Sequence, residues 1–284
     1  AGSLCGKALG TRGSSTLGFE RRFNEALQPA REPDWIRQLL EGMPAAPPYF
    51  LQMKRVNSQG PKVLTADGPT QQRLTPQQFQ TATSPNGLIL DLRSKEAFAA
   101  AHIPRAVNIP LGQNTSTWAG WVLPYNQPLY LVLEEKGQWQ EAITQLIRVG
   151  FDEIAGILEG GMEAWENASL PVSRLAVQTV QELHQQLKKH AGEITVLDVR
   201  TPGEWQSGHI EGAQRIHAGL LGKNLARLNR HQPVAVVCGT GYRASIASSI
   251  LLREGFTQVT NVLGGMSAWN AAELPTVKSV ITET

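Results

Sequence analysis

The sequence predicts an α/β protein: two tandem copies of one domain, each a parallel sheet flanked by helices, after a short, mostly helical N-terminal segment. Self-similarity is the first observation behind this. Leu90-Asp91-Leu92-Arg93 returns as Leu197-Asp198-Val199-Arg200, and Ala101-His102-Ile103 as Gly208-His209-Ile210, each 107 residues later. Gly160-Gly161-Met162-Glu163-Ala164-Trp165 returns as Gly264-Gly265-Met266-Ser267-Ala268-Trp269, and Leu170-Pro171 as Leu274-Pro275, each 104 residues later. Four segments in one order at a nearly constant offset define two copies, at 63–173 and 174–284, with 1–62 outside the repeat. The second observation is that short strand-like runs alternate with helical ones, the pattern of βαβ units and a parallel sheet.

Taken in order, Glu20–Leu27 and Asp34–Glu41 are predicted as short helices, separated by Pro29 and Pro33 and followed by a turn at Pro44-Ala45-Ala46-Pro47-Pro48. Each repeat then opens on a capping box, Thr75 with Gln78 and Thr179 with Glu182. A short helix follows in each, then a loop carrying Gly87 or Gly192. The strands Leu88–Leu92 and Ile194–Val199 come next, then helices over Lys95–Ala101 and Pro202–Ser207. Val234–Val237 is a short β-branched run and reads as a buried strand. From Arg243, with Ala247, Ile250 and Leu251 at helical spacing, a helix runs to Gly255.

The 284 residues are 41% apolar, enough for sizeable cores, and length alone suggests two domains. A net charge of +2 argues against nucleic acid or an anionic membrane surface as partner. No apolar run approaches the roughly 18 residues of a membrane span. With only Cys5 and Cys238, a disulfide framework is implausible and a reducing, cytoplasmic setting is expected. Ala1-Gly2-Ser3 carries no initiator methionine or signal-peptide pattern, the form expected of a fragment or a processed product. The six histidines are scattered without metal-ligand spacing; His184, His190, His217 and His231 are expected at the surface.

Cys238 is where chemistry concentrates. It lies where a predicted strand meets a turn that leads into a helix, and ligand sites of such sheets lie at the carboxyl ends of strands. Unpaired amides and the dipole at a helix N-terminus favour an anion there. A free cysteine titrates near ~8.5, and a helix N-terminus or nearby Arg lowers this to roughly 3.5–7.5. Cys238 is therefore expected to be a nucleophilic thiolate at neutral pH. Gly239 and Gly241 are expected to supply the unusual dihedrals of an amide nest. Arg243 is expected to offer a planar cationic fork to anionic substrates, with hydroxyls from Thr240 and Ser245.

Asp198-Val199-Arg200, Glu204-Trp205, Gly208 to Ala213, the loop Cys238 to Arg243, and Gly264 to Trp269 together resemble a rhodanese (sulfurtransferase) domain, and the likeness spans both repeats. The resemblance implies that Cys238 accepts sulfane sulfur from thiosulfate or a low-molecular-weight persulfide, holds it as a persulfide, and passes it to cyanide or a small thiol. It also implies substrate contacts from Gly239, Thr240, Gly241, Tyr242, Arg243 and Ser245. A six-residue loop fits sulfur transfer, whereas related phosphatases and arsenate reductases use a loop one residue longer. In the first repeat Leu133 stands opposite Cys238 and Gln138 opposite Arg243, so that copy is expected to be catalytically silent and to pack against the second.

Asp91, Arg93, Asp198 and Arg200 recur in both copies and read as scaffold, with Glu204 a candidate partner for Arg200. His102 and His209, which also recur, are expected to serve packing or backbone hydrogen bonds, and Trp165 and Trp269 to anchor cores. Ala1 to Lys7, Ser14 to Phe19 and Pro48 to Arg55 resemble the tail of a metallo-β-lactamase-like domain of the kind fused to rhodanese domains in non-haem-iron persulfide dioxygenases. No H-x-H-x-D-H pattern occurs, so no metal or other cofactor is expected in this chain, and iron only with that absent domain. Cys5 reads as structural or incidental. A docking or regulatory module for such a domain, with Cys238 delivering persulfide to it, is the alternative to a free-standing enzyme.

Overall fold

The computed structural model describes residues 14–28, 30–40, 46–61, 63, 72–84, 86–190 and 192–278. Cys5, the stretch Ala1 to Lys7, Pro29, Glu41, Pro44 and Ala45 lie outside the described residues. The chain divides into two units, Ala1–Pro47 and Pro48–Thr284.

In the first unit, α1 (Leu17–Phe23) ends before a 3₁₀ turn at Glu25–Leu27. The sequence suggested one helix over Glu20–Leu27. Instead Asn24 leaves helical geometry, and its Oδ1 accepts from Ala26 N at 3.0 Å, restarting the chain as a new cap. Helix α2 (Glu32–Leu40) starts two residues before the predicted Asp34. Pro33 falls inside its first turn, where a missing N–H costs nothing, rather than between helices.

The second unit opens with α3 (Tyr49–Gln59), whose Tyr49 ring lies over Gly120 and whose Met53 lies over Gly150. The first repeat follows as β1 (Arg73–Leu74), α4 (Pro76–Thr83), β2 (Leu88–Asp91), α5 (Lys95–Ala100), β3 (Val107–Asn108), α6 (Thr115–Val122), β4 (Leu129–Val132), α7 (Trp139–Ile147), β5 (Ile154–Leu158) and α8 (Gly161–Asn167). The second repeat runs β6 (Ala176–Gln178), α9 (Val180–Lys189), β7 (Thr195–Asp198), α10 (Pro202–Ser207), β8 (Gln214–Arg215), α11 (Leu221–Asn224), β9 (Val234–Val237), α12 (Tyr242–Arg253), β10 (Val259–Val262) and α13 (Gly265–Ala271). The sheets have the same order, β1-β5-β4-β2-β3 and β6-β10-β9-β7-β8, and every pairing is parallel. Two α/β domains of one topology, each a parallel sheet flanked by helices, follow a helical N-terminal segment. The capping boxes at Thr75 and Thr179 form, and Thr201 with Glu204 adds a third.

The shared motifs lock each strand end in the same way. Arg93 pairs with Asp91 and Arg200 with Asp198, each at 2.6 Å in the interior, and each guanidinium also donates to a carbonyl eight residues on, Ala101 O or Gly208 O. His102 and His209 stack on Phe98 and Trp205 and bond their carbonyls. Trp165 and Trp269 are 2% exposed and donate to Pro171 O and Pro275 O. Arg200 thus takes Asp198, not Glu204. The nearer carboxylate lies two residues away across the strand end and matches the fork bidentately.

One apolar core runs through both repeats. Helix α12 is buried on every side from Ala244 to Leu251, because β9 and β10 cover one face and β3 of the first repeat approaches the other. Small residues make that approach possible. Ser245 Oγ donates to Asn108 Oδ1 at 2.7 Å, one turn before Ser249 Oγ accepts from Asn108 N at 2.9 Å. Asn108 Nδ2 in turn donates to the carbonyls of Asp91 and Arg93.

Candidate active site

Cys238 follows β9 at the carboxyl end of the second sheet, 1% exposed. Its Sγ accepts the Gly241 N–H at 3.1 Å. Gly241 has φ +97°, a left-handed conformation, and is the last residue before α12. The loop carbonyls face the other way: Met266 N donates to Cys238 O at 2.7 Å and Ser267 N to Gly239 O at 2.9 Å. The first turn of α13 therefore grips the outer side of the loop. Gly265 makes the grip possible, since a Cβ there would lie 2.1 Å from Cys238 O. With the Cys238 and Gly239 carbonyls held outward, the Gly241 N–H points inward at the sulfur, the polarity an anion requires.

Gly239 serves a different need from the one expected. It is not among the residues with positive φ; a Cβ there would lie 3.1 Å from Arg243 Nη2, so its smallness makes room for the guanidinium. The Arg243 fork is occupied by Glu204, with Nη1 to Oε2 at 2.7 Å and Nη2 to Oε1 at 2.6 Å. The Arg243 guanidinium holds the Glu204 carboxyl down to about 2. The same pair, with a smaller contribution from Cys238, raises Arg243 above its ordinary range. Arg243 is thus a neutralised, fixed donor beside the thiol rather than a free fork. Thr240 is exposed on the loop. Ser245 is fully buried and its hydroxyl is committed to Asn108, which places it in the contact between repeats instead of beside a substrate. Tyr242 likewise reaches across, donating to Pro110 O at 3.2 Å, and burial pushes its hydroxyl up to about 12.

The first repeat also supplies groups that the sequence did not single out. A Cβ on Gly241 would lie 3.5 Å from Lys95 Cε, so the lysine stem passes over the Cys238 loop, and its ammonium pairs with Glu96. His217, expected at the surface, is half-buried with its ring 5.1 Å from Trp121 and 6.0 Å from Trp118. Burial, then the charge of Arg243, holds it below its usual range. Trp121 also covers the backbone of Gly219, as the 2.3 Å space for a Cβ there shows. A tryptophan pair on α6 closing over His217 has no local sequence signature, because the two partners are about a hundred residues apart.

In the first repeat the corresponding loop is filled from within. Leu133 is 7% exposed, and the Gln138 side-chain oxygen accepts from both Glu134 N at 3.1 Å and Glu135 N at 3.2 Å. Glu134 is itself held by Ser94 N at 3.0 Å. Ala97 occupies the position of Glu204, so nothing there would anchor an arginine. The loop length is kept, but the Glu134 and Glu135 amides, at the positions of Gly239 and Thr240, are taken by the Gln138 side-chain oxygen.

A buried thiol at the end of a parallel strand, bonded by a loop amide and followed closely by a helix, defines an α/β protein with a strand–loop–helix thiol site, duplicated with one copy lacking the thiol. The chain belongs to the rhodanese-like domain family, whose model matches residues 75–168 and 179–272, more than half of its length. Among its relatives is a thiosulfate sulfurtransferase, GlpE, of Pseudoalteromonas translucida, 31% identical over 80 residues, 28% of this chain and 76% of the relative. A putative sulfur carrier protein, YrkF, of Bacillus subtilis is 31% identical over 112 residues. That match takes in 39% of this chain and 57% of the relative, so the chain spans little more than half of it. A crystal structure of a metallo-beta-lactamase from Staphylococcus aureus is 36% identical, covering 55% of this chain and 42% of that one at a TM-score of 0.45. Among the described residues no helix is long and apolar enough to cross a membrane, and no three His, Cys, Asp or Glu side chains are grouped to hold a metal ion.

Proposed function

We propose that this protein is a sulfurtransferase that moves sulfane sulfur from thiosulfate or a low-molecular-weight persulfide to a small thiol or cyanide, through a persulfide on Cys238. The observation that carries this reading is the loop polarity: the Gly241 N–H toward Sγ, the Cys238 and Gly239 carbonyls bonded outward to α13. In the first displacement the Cys238 thiolate attacks the outer sulfur of thiosulfate, a new S–S bond forms, the old one breaks, and sulfite leaves with the electron pair. In the second, cyanide or a thiolate attacks the terminal sulfur, and Cys238 departs as thiolate. The two half-reactions share one covalent intermediate, which replaces one difficult transfer by two easier ones. The terminal sulfur of that intermediate is anionic, so the same amides that hold the thiolate serve the persulfide without rearrangement. Glu204 cancels the Arg243 charge and Glu96 that of Lys95, so the loop amide rather than a free cation is the group that favours the anion. The relatives named for sulfur transfer or carriage support the same class of chemistry.

The test is direct. Treated with thiosulfate, the wild-type chain should gain one sulfur atom, mapped by mass spectrometry to Cys238, and should release thiocyanate when cyanide is added. Cys238→Ser should show neither. Thiocyanate formation at equal rates in wild type and variant would refute the assignment.

A further inference from the structure

The two repeats also meet at the opposite end of α12, about 18 Å along the helix from the catalytic loop. There a cavity of about 310 Å³ has apolar walls from Ile89, Ile103, Trp165 and Pro171, and also takes Arg105 of the first repeat and Arg253 of the second. No carboxylate lines it among the described residues. Arg253 is tethered by one arm, Nη2 to Gln127 Oε1 at 3.0 Å, while its Nη1 is buried with no partner among the described residues. A buried guanidinium N–H left unpaired is costly and marks a place for an acceptor. Burial, then the charge of Arg105, holds the Arg253 guanidinium below its ordinary range. The two cations therefore act on one another across the site.

Arg105 carries the more informative signal. It has φ +67°, a left-handed conformation that disfavours any side chain. Its counterpart in the second repeat is Gly212, at φ +74°. The turn is the same in both copies, and only the first puts an arginine where glycine is unstrained. That arginine is exposed and has no hydrogen-bond or ion-pair partner among the described residues, so no such contact explains its left-handed backbone.

We propose that this cavity is a second ligand site, separate from Cys238, that takes a small organic carboxylate. The carboxylate sits between the Arg105 and Arg253 guanidinium groups, whose planar forks match its two oxygens, and the apolar body lies against Ile89, Ile103 and Trp165. The volume is at the lower end of that seen for small-molecule sites. An inorganic oxyanion would satisfy the charges and leave the apolar wall uncovered.

Calorimetric titration of the full chain with benzoate, benzyl alcohol and inorganic phosphate tests this. Benzoate is expected to bind with a Kd of about 1 mM or tighter, with benzyl alcohol and phosphate at least about tenfold weaker. Cys238→Ser should bind benzoate as wild type does, which keeps the result independent of the proposed sulfur chemistry. Arg253→Met and Arg105→Gly should each weaken benzoate at least about tenfold. Arg105→Gly relieves the left-handed turn and should not lower the thermal midpoint, so its loss of binding cannot be misfolding. No benzoate binding at about 10 mM, or equal binding by wild type and Arg105→Gly, would overturn the proposal. Phosphate binding as tightly as benzoate would overturn the carboxylate assignment.

Discussion

Glu204 has two roles through one carboxylate. Its Oε2 accepts from Thr201 N and Thr201 Oγ1 in the capping box of α10 and also from Arg243 Nη1, while Oε1 accepts from Nη2. Because the Arg243 bond holds its folded pKa down to about 2, Glu204 stabilises the fold above its unfolded value of 4.5 and loses that contribution as pH falls through about 2. With the side chain 37% exposed, solvent screening limits the effect to about 1 kcal/mol. Glu204→Gln should therefore lower the thermal midpoint at neutral pH and flatten its decline between 4.5 and 2. It should also cut kcat/KM for thiocyanate formation by roughly tenfold, because the guanidinium beside Sγ loses its rigid holder. Calorimetry across pH and steady-state rates check the two effects; an unchanged rate would remove Arg243 from the positioned machinery. The Glu204–Arg243 bond was not legible in the sequence, because its partners lie 39 residues apart with no periodic signature. The scaffold role of the Asp and Arg residues two apart was legible from their recurrence in both copies, but their pairing was not, since Glu204 was the partner expected for Arg200.

At the level of elements, the strands, the helix after Cys238 and the capping boxes were readable because hydrophobic period and cap chemistry are local. Strand ends differ from expectation by a residue, as at Asp91 and Asp198, where ladder bonds continue one step further. The double glycine of each copy was visible as a repeated motif, but its role was hidden until α13 was seen against the loop. Gly265→Ala should be severe on two counts, a Cβ within 2.1 Å of a backbone oxygen and a φ of +52°. We expect destabilisation of roughly 2–4 kcal/mol and loss of the sulfur adduct on Cys238 even where folding survives. Denaturant melts and mass spectrometry report the two separately; an alanine variant that melts and labels like wild type would show that the grip of α13 on the loop is dispensable.

Across the whole molecule, the contact between repeats was least legible, since Ser245 and Asn108 meet over 137 residues of chain. Ser245 was expected to offer its hydroxyl to a substrate, whereas it and Ser249 bond Asn108 of the first repeat. His217 belongs to the same seam, facing Trp118 and Trp121 from α6, Arg243 from α12, Glu204 from α10 and Arg215 from β8. Its folded pKa lies below the ordinary 6.5, chiefly through burial. The sign is that of a histidine kept neutral: stability is full above 6.5 and declines as pH falls toward the lower folded value, because the unfolded chain takes up the proton first. His217→Gln should flatten the fall of the thermal midpoint below pH 6.5, and an identical slope in wild type and variant would contradict this.

Gln138 bears on how the silent copy can change over time. Its oxygen holds the Glu134 and Glu135 amides, and Ala97 offers no carboxylate to fix an arginine at position 138. On the proposed chemistry, Leu133→Cys alone would restore the thiol without the guanidinium beside it or the carboxylate that holds that guanidinium. Revival would take coordinated changes at 97, 133 and 138, so the loss of function in the duplicate acts as a ratchet.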